Sequence, residues 1–456
     1  VTAVEQLFGL IESWTGMCLT RGGAAVSLQR FAAARVKQLG LSSIDEYVKQ
    51  LAGPLRLERE VLVNAVTVNY TWFYRDAEQL DALGQLLRDG WPQGASLNVW
   101  VPGCATGEDA YAVALLAEAV NRPARVLGTD LNSASLAWAR EGRYGAWSTR
   151  ELPQALRQGF TAAGNKALQV RDDVRRRVQF EVHNLVDAPK RPPGAGWDVV
   201  LCRNVLIYFS SEGAQAAHER LGAAVAPAGW LVLGASESVF SVPAGMQPAR
   251  LAGRAALYRP PARSSSPKAD APARVETPQP KKRDAAGSPS PTAGAPTRPA
   301  AEKSAMLGGP AAPFSTRGGA AARRAPSAVE LTLEGAGLMS TNLAGGIALL
   351  MQAREADPLS VEAHLHLGIA FHLSGDAVSA APALRSALLL DPTLWPASFY
   401  LALTYENLGQ PAEARREYQR VVDQSQSPLV LEARGVLGDL EAWKADVLAL
   451  ARRRGA

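Results

Sequence analysis

Leu97-Asn98-Val99-Trp100-Val101-Pro102-Gly103-Cys104-Ala105-Thr106-Gly107-Glu108-Asp109 is the stretch that decides the fold. It reads as a short buried strand, a sharp turn bounded by glycines, and a helix opening on two acids. The apolar run from Tyr111 to Val120 continues that helix. Gly103 and Gly107 let backbone approach a ligand closely, and the unpaired N–H groups of a helix start face the same crevice. This is the first βα turn of a nucleotide-binding α/β fold, with one departure. A dinucleotide fingerprint runs G-x-G-x-x-G around a pyrophosphate, whereas here the spacing is G-x-x-x-G with Glu108 straight after. A carboxylate there repels phosphate and suits a ligand bearing an ammonium or a sulfonium. S-adenosylmethionine carries both.

Strands and helices alternate from this point onward. Arg125–Asp130 reads as a second strand ending in an acid, about 20 residues after the glycine turn, where such folds place the carboxylate that binds ribose hydroxyls. Helices are expected over Ser133–Glu141 and Arg150–Gly159, and a short strand over Lys166–Val170. Further strands follow at Arg177–Val182, Trp197–Cys202, Gly229–Gly234 and Arg254–Arg259. The alternation implies a mostly parallel sheet covered on both faces, with its ligand at the carboxyl ends of the strands. Gly103–Glu108, Asp130, Asn184 and Asn204 all fall at such ends.

Upstream, Val4–Trp14, Leu28–Leu39, Ile44–Leu51 and Arg56–Val66 show helical spacing of apolar residues, with Ser43 and Asp45 as caps for the third. Arg30, Arg35 and Lys37 give the second helix a basic character, read either as a solvated face or as a surface for an acidic partner helix. Val66–Asp76 then packs Tyr70, Trp72, Phe73 and Tyr74 among Asn69, Thr71 and Arg75. That composition fits an apolar pocket with a few placed polar groups, or an aromatic hinge between domains.

At 456 residues the chain has room for two or three domains, and 47% hydrophobic residues support a full core. No apolar stretch approaches the roughly 18 residues of a membrane span, and residues 1–10 lack the features of a signal peptide. Three cysteines, Cys18, Cys104 and Cys202, make no disulfide framework and lack metal-site spacing, so a cytoplasmic setting and no metal are expected. The net charge is +5, but residues 263–326 alone hold 11 Lys/Arg against 4 Asp/Glu. The basic excess belongs to that segment, which removes most of the electrostatic case for a nucleic-acid partner.

Residues 261–326 are rich in Pro, Ala, Ser, Gly and Arg without hydrophobic periodicity, and read as a disordered, Pro-stiffened tether. A repeat follows it. Gly375 recurs as Gly409, Ala363 as Ala397, and Asp357-Pro358 as Asp391-Pro392, each at an offset of 34. Period 34 with small residues at the helix crossings is the tetratricopeptide signature. A degraded earlier copy spans about Ala328–Asp357, and Leu429–Arg452 reads as a capping helix. Such an array binds an unidentified peptide or protein rather than catalysing.

Taken together, these residues resemble the chemotaxis receptor methyltransferases (CheR family) over roughly Val4–Pro260. Asn69-x-Thr71-x-x-x-Arg75, Gly103–Glu108 and Cys202-Arg203-Asn204-Val205-Leu206-Ile207-Tyr208-Phe209 are similar to that family's motifs and fall in its order. Asp109-Ala110-Tyr111-Ala112 stands where the family usually has Glu-Pro-Tyr-Ser.

The resemblance implies a helical N-terminal subdomain over residues 1–76 and a Rossmann-like class I S-adenosylmethionine methyltransferase domain over 77–260. The linker of 261–326 and an all-α tetratricopeptide solenoid over 327–456 complete the expected α/β architecture. It implies a protein-glutamate O-methyltransferase acting on chemoreceptor helices without inserting in a membrane. Glu108, Asp130, Asn184 and Asn204 would contact S-adenosylmethionine, with Leu185 and Arg203 beside them and Asn69, Thr71 and Arg75 closing over it. Arg75 and Tyr208 would flank the methyl group as the catalytic pair. The physics agrees, because a glutamate carboxylate of pKa about 4.3 is already ionised at neutral pH. Its methylation is an in-line displacement that needs no general base or metal. A methyltransferase of small molecules or nucleic acid, and a scaffold that has lost turnover, stand as the alternatives.

Overall fold

Apolar spacing and caps build the first helices. The computed structural model describes residues 2–19, 24–53, 56–69, 71–187, 196–234, 237, 245–249, 256–260, 326–427, 431, 437 and 440–455. Tyr70 and the linker expected at 261–326, save its last residue, lie outside the described residues. Thr2 caps α1 (Ala3–Thr15) in a reciprocal box with Glu5. Next come α2 (Ala24–Leu39), α3 (Ile44–Ala52) capped by Ser43, α4 (Arg56–Val66) and α5 (Ala77–Asp89). Leu7, Ile11, Leu28, Phe31, Leu51 and Leu62 bury together among the first four. Arg35, read above as part of a basic face, turns inward. Its guanidinium donates twice to Glu58 at 2.7 Å, and the Tyr47 hydroxyl donates to the same carboxylate at 2.8 Å.

The strands are β1 (Leu97–Pro102), β2 (Ala124–Asp130), β3 (Arg143–Tyr144), β4 (Phe160–Ala162), β5 (Leu168–Val170), β6 (Val178–Val182), β7 (Trp197–Cys202), β8 (Val225–Leu233), β9 (Gln247–Ala249) and β10 (Ala256–Arg259). Seven of them form one sheet in the order β6-β2-β1-β7-β8-β10-β9, parallel from β6 to β8 and antiparallel at β10 and β9. Helices α6 (Glu108–Ala119), α7 (Ser133–Glu141), α8 (Asp172–Arg175) and α9 (Ser211–Ala224) link its strands. Because β1 is covered on both faces, all its residues but Asn98 are buried, as a continuous apolar run requires.

The remaining three strands make a small antiparallel sheet, β3-β5-β4, inserted after α7. The helix expected over Arg150–Gly159 is there only as a 3-10 turn, Gln154–Gly159. Pro153 stands just ahead of it with no N–H to give, and Gly159 packs tightly on Leu115 before the chain enters β4.

The C-terminal helices pair as the period predicts: α10 (Ala328–Leu338) with α11 (Leu343–Ala356), α12 (Val361–Leu373) with α13 (Ala377–Leu390), and α14 (Trp395–Asn407) with α15 (Pro411–Gln424). Helix α16 (Leu440–Gly455) packs on the last pair. Of the capping helix expected over Leu429–Arg452, α16 is the part described from Leu440 onward, and Leu429 lies outside the described residues. Gly375 and Gly409, 34 apart, each turn the chain between the two helices of a pair at positive φ, +79° and +71°.

The repeats pack on the N-terminal helices: Leu359 and Leu390 are buried in the α1–α4 core. Ser27 donates to Asp357 at 2.5 Å, and the backbone N–H of Trp147 donates to Asp376 at 2.9 Å. No helix among the described residues is long and apolar enough to cross a membrane.

Candidate active site

The glycine turn leaves β1 at Gly103, whose φ of +65° belongs to glycine and whose absent Cβ would lie 2.3 Å from Val205 Cγ2. That close approach brings the β1 and β7 ends together. Asp130, at the end of β2, holds the turn: Ala105 N–H donates to one carboxylate oxygen and Asn132 N–H to the other, both at 2.8 Å. Burial raises the Asp130 pKa, and those backbone donors oppose the rise.

One cavity opens over this edge. Asn69, Thr71 and Arg75 line it from the loop before α5, and Asp130, Asn184 and Leu185 from the ends of β2 and β6. Arg203, Asn204 and Tyr208 line it from the loop after β7. Asn204 sits at φ +57°, a left-handed conformation that asparagine tolerates better than most side chains.

Glu108 is placed differently. Its carboxylate is buried, turned away from the cavity lining, and accepts hydrogen bonds from Thr106 and Ser148 hydroxyls at 2.7 Å each. Burial pushes its pKa up to about 7 against those two donors.

Arg203 shows the cavity side only in part. Its buried guanidinium forms a two-point pair with Asp109 at 3.0 and 2.6 Å, and donates to the Arg75 carbonyl at 2.6 Å. Asp109 was legible as one of two acids opening the helix and as a departure from a motif, but not as the partner of Arg203. A pairing 94 residues apart leaves no local signal. The end of α1 was missed as well. Gly16 caps that helix in the left-handed region, so Met17 bridges to Phe209 and Cys18 N–H donates to the Tyr208 carbonyl at 2.9 Å. Thr15 and Met17 thereby join the lining. A glycine stop was readable, but the loop it meets was not.

The aromatic stretch divides its work. Phe73 is fully buried, edge-on to Tyr144 and Phe160 with ring centroids at 4.7 and 5.2 Å, and Tyr74 donates to Asp81 at 2.7 Å. The Arg75 guanidinium lies 4.9 Å over the Trp72 ring. Aromatics anchor the segment while the polar residues between them reach the cavity.

A parallel Rossmann-like sheet with a glycine turn, an acid ending β2 and a polar cavity at the strand ends defines an S-adenosylmethionine-dependent methyltransferase. Residues 69–252 match the model of the CheR methyltransferase, SAM binding domain, and residues 371–437 that of the tetratricopeptide repeat. Chemotaxis protein methyltransferase 1 of Pseudomonas aeruginosa is 30% identical over 224 residues, 46% of this chain and 80% of that protein. The probable biofilm formation methyltransferase WspC of Pseudomonas putida is 29% identical over 435 residues, 91% of this chain and 97% of its own. The chain belongs to the CheR methyltransferase family and carries tetratricopeptide repeats at its C-terminal end.

Proposed function

We propose that the chain is a protein-glutamate O-methyltransferase that modifies chemoreceptor helices. The observation that carries this reading is the meeting of Arg75 and Tyr208 in the cavity that Asp130 and Asn204 close from the strand ends. The lining fits the cofactor by its donor set. Asp130 keeps lone pairs for ribose hydroxyls, and Leu131 and Leu185 offer apolar sides to an adenine. When bound, S-adenosylmethionine supplies an electrophilic methyl carbon on a sulfonium.

The remaining work belongs to the side chains. Arg75 draws in an acidic acceptor by charge-assisted hydrogen bonds. Its stacking on Trp72 limits where the guanidinium can reach. Tyr208 donates to one carboxylate oxygen and leaves a lone pair of the other free to attack. Burial raises the Tyr208 pKa, so the hydroxyl stays a donor at neutral pH. Alignment of this kind supplies on the order of 7–11 kcal/mol. Glu108 holds the turn through Thr106 and Ser148, and Arg203 positions Arg75 through its backbone.

The test is transfer of alkali-labile tritium from methyl-labelled cofactor to a chemoreceptor cytoplasmic fragment. Arg75→Ala and Tyr208→Phe should each lower kcat by about tenfold or more while cofactor affinity changes far less. Alkali-stable label, or a loss confined to cofactor binding, would overturn the reading.

A further inference from the structure

The acceptor end of the cavity meets a carboxylate from the same chain. Glu355, in the last turn of α11, accepts a hydrogen bond from the Tyr208 hydroxyl at 3.4 Å. Glu355 and Arg354 on this helix, and Arg75 on the opposite side, are the charged groups acting on that hydroxyl. A helix-borne glutamate therefore stands against the tyrosine that the reading above assigns to acceptor carboxylates.

Contacts that do not involve Glu355 fix its position. Two residues on, Asp357 accepts from Ser27 at 2.5 Å and from Leu359 N–H at 3.1 Å. Leu359 is 2% exposed within the α1–α4 core. On the other flank, Asp376 caps α13 through Ser379 N–H and also accepts from the backbone N–H of Trp147 at 2.9 Å, while Trp147 and Phe371 pack with ring centroids 6.0 Å apart. The end of α11 is thus held on the N-terminal helices, and the next helix pair, α12 with α13, on the inserted segment.

We propose that Glu355 is a methyl acceptor within the chain, delivered to the active site in cis by the repeat domain. This rests on the assignment of Arg75 and Tyr208 to the acceptor carboxylate. In the step, a Glu355 carboxylate oxygen attacks the methyl carbon of S-adenosylmethionine. An O–CH3 bond forms, the S–CH3 bond breaks, and its electron pair stays on sulfur to give neutral S-adenosylhomocysteine. No proton moves. The product is a neutral ester that no longer offers charge to Arg75 and Arg354, so modification weakens the hold of α11 on the cavity.

The full-length protein, incubated with methyl-tritiated S-adenosylmethionine and no other protein, tests this. After tryptic digestion, alkali-labile label is expected on the peptide Glu355–Arg385. Its first-order rate should not change on dilution of the protein, and it should fall at least tenfold in Glu355→Gln. A rate that scales with protein concentration would show transfer between chains and overturn the cis assignment. In a parallel incubation with a chemoreceptor fragment, label on the fragment but none on that peptide overturns the proposal alone. Cofactor binding by calorimetry with neither acceptor labelled overturns the receptor reading and this proposal with it.

Discussion

Asp130 spends one lone pair of each carboxylate oxygen on a backbone N–H and has the others for a ligand. Asp130→Ala should weaken S-adenosylmethionine binding by about 1.5–3 kcal/mol, through loss of hydrogen bonds to a charged acceptor. Calorimetric titration of the folded variant checks this, and unchanged affinity would remove Asp130 from the site. Glu108 carries a different prediction, because burial lifts its pKa from 4.5 to about 7. The folded chain keeps a proton there that the unfolded chain releases above pH 4.5. Its stabilising contribution is therefore full below about pH 4.5 and lost as pH rises through about 7. A shift of that size on a buried group is on the order of 3 kcal/mol. Glu108→Gln lacks this titration, so its stability relative to the native chain should improve by about that much from pH 4.5 to pH 8, read from urea midpoints. A difference that does not move with pH would rule out this account. Asp130 was legible because it ends a strand at a fixed distance from the glycine turn. The inward turn of Glu108 was not, since its partner Ser148 comes from the inserted segment, 40 residues away.

At the scale of elements, what could be read had a period or a stop. The burial of β1, β2 and β7 and the 34-residue repeat both follow from local pattern, and the boundaries of α1 to α4 fell within a few residues of those read, whereas α5 was not read. The loop after β7 was legible as a motif, but not what braces it. Arg203 ties β7 to the first turn of α6 through Asp109 and to the Arg75 segment through a carbonyl. Its side chain is 1% exposed, so removing Asp109 would strand a buried charge. Asp109→Ala should cost about 3–5 kcal/mol of stability. Replacing both partners with apolar residues of similar size should cost less than the single change, because no unpaired charge then remains. Thermal and urea unfolding of the single and double variants decide it, and a single variant within about 0.5 kcal/mol of native would mean the pair is solvated in solution.

At the scale of the whole molecule, the linker composition suggested domains joined by a string, with a reach of roughly 40–50 Å for some 65 residues. Contacts across hundreds of residues have no local signature, so the docking of the repeats on the N-terminal helices was not legible. Leu390 ends α13 and is buried with Leu28 and Phe31 rather than only among its own repeats. Burying a leucine contributes about 1.5–3 kcal/mol, and a carboxylate in its place adds a desolvation cost. Leu390→Asp should therefore release the repeats from the helical subdomain while the sheet and the helix pairs, whose cores lie elsewhere, stay folded. Small-angle X-ray scattering should show a larger radius of gyration, and far-ultraviolet circular dichroism should keep its helical signal. Release also carries Glu355 away from Tyr208, so label on the peptide Glu355–Arg385 should fall severalfold while the receptor fragment remains a substrate. An unchanged radius with unchanged label would mean that Leu390 does not carry the docking. An enlarged radius with undiminished label would mean that Glu355 reaches the active site without it.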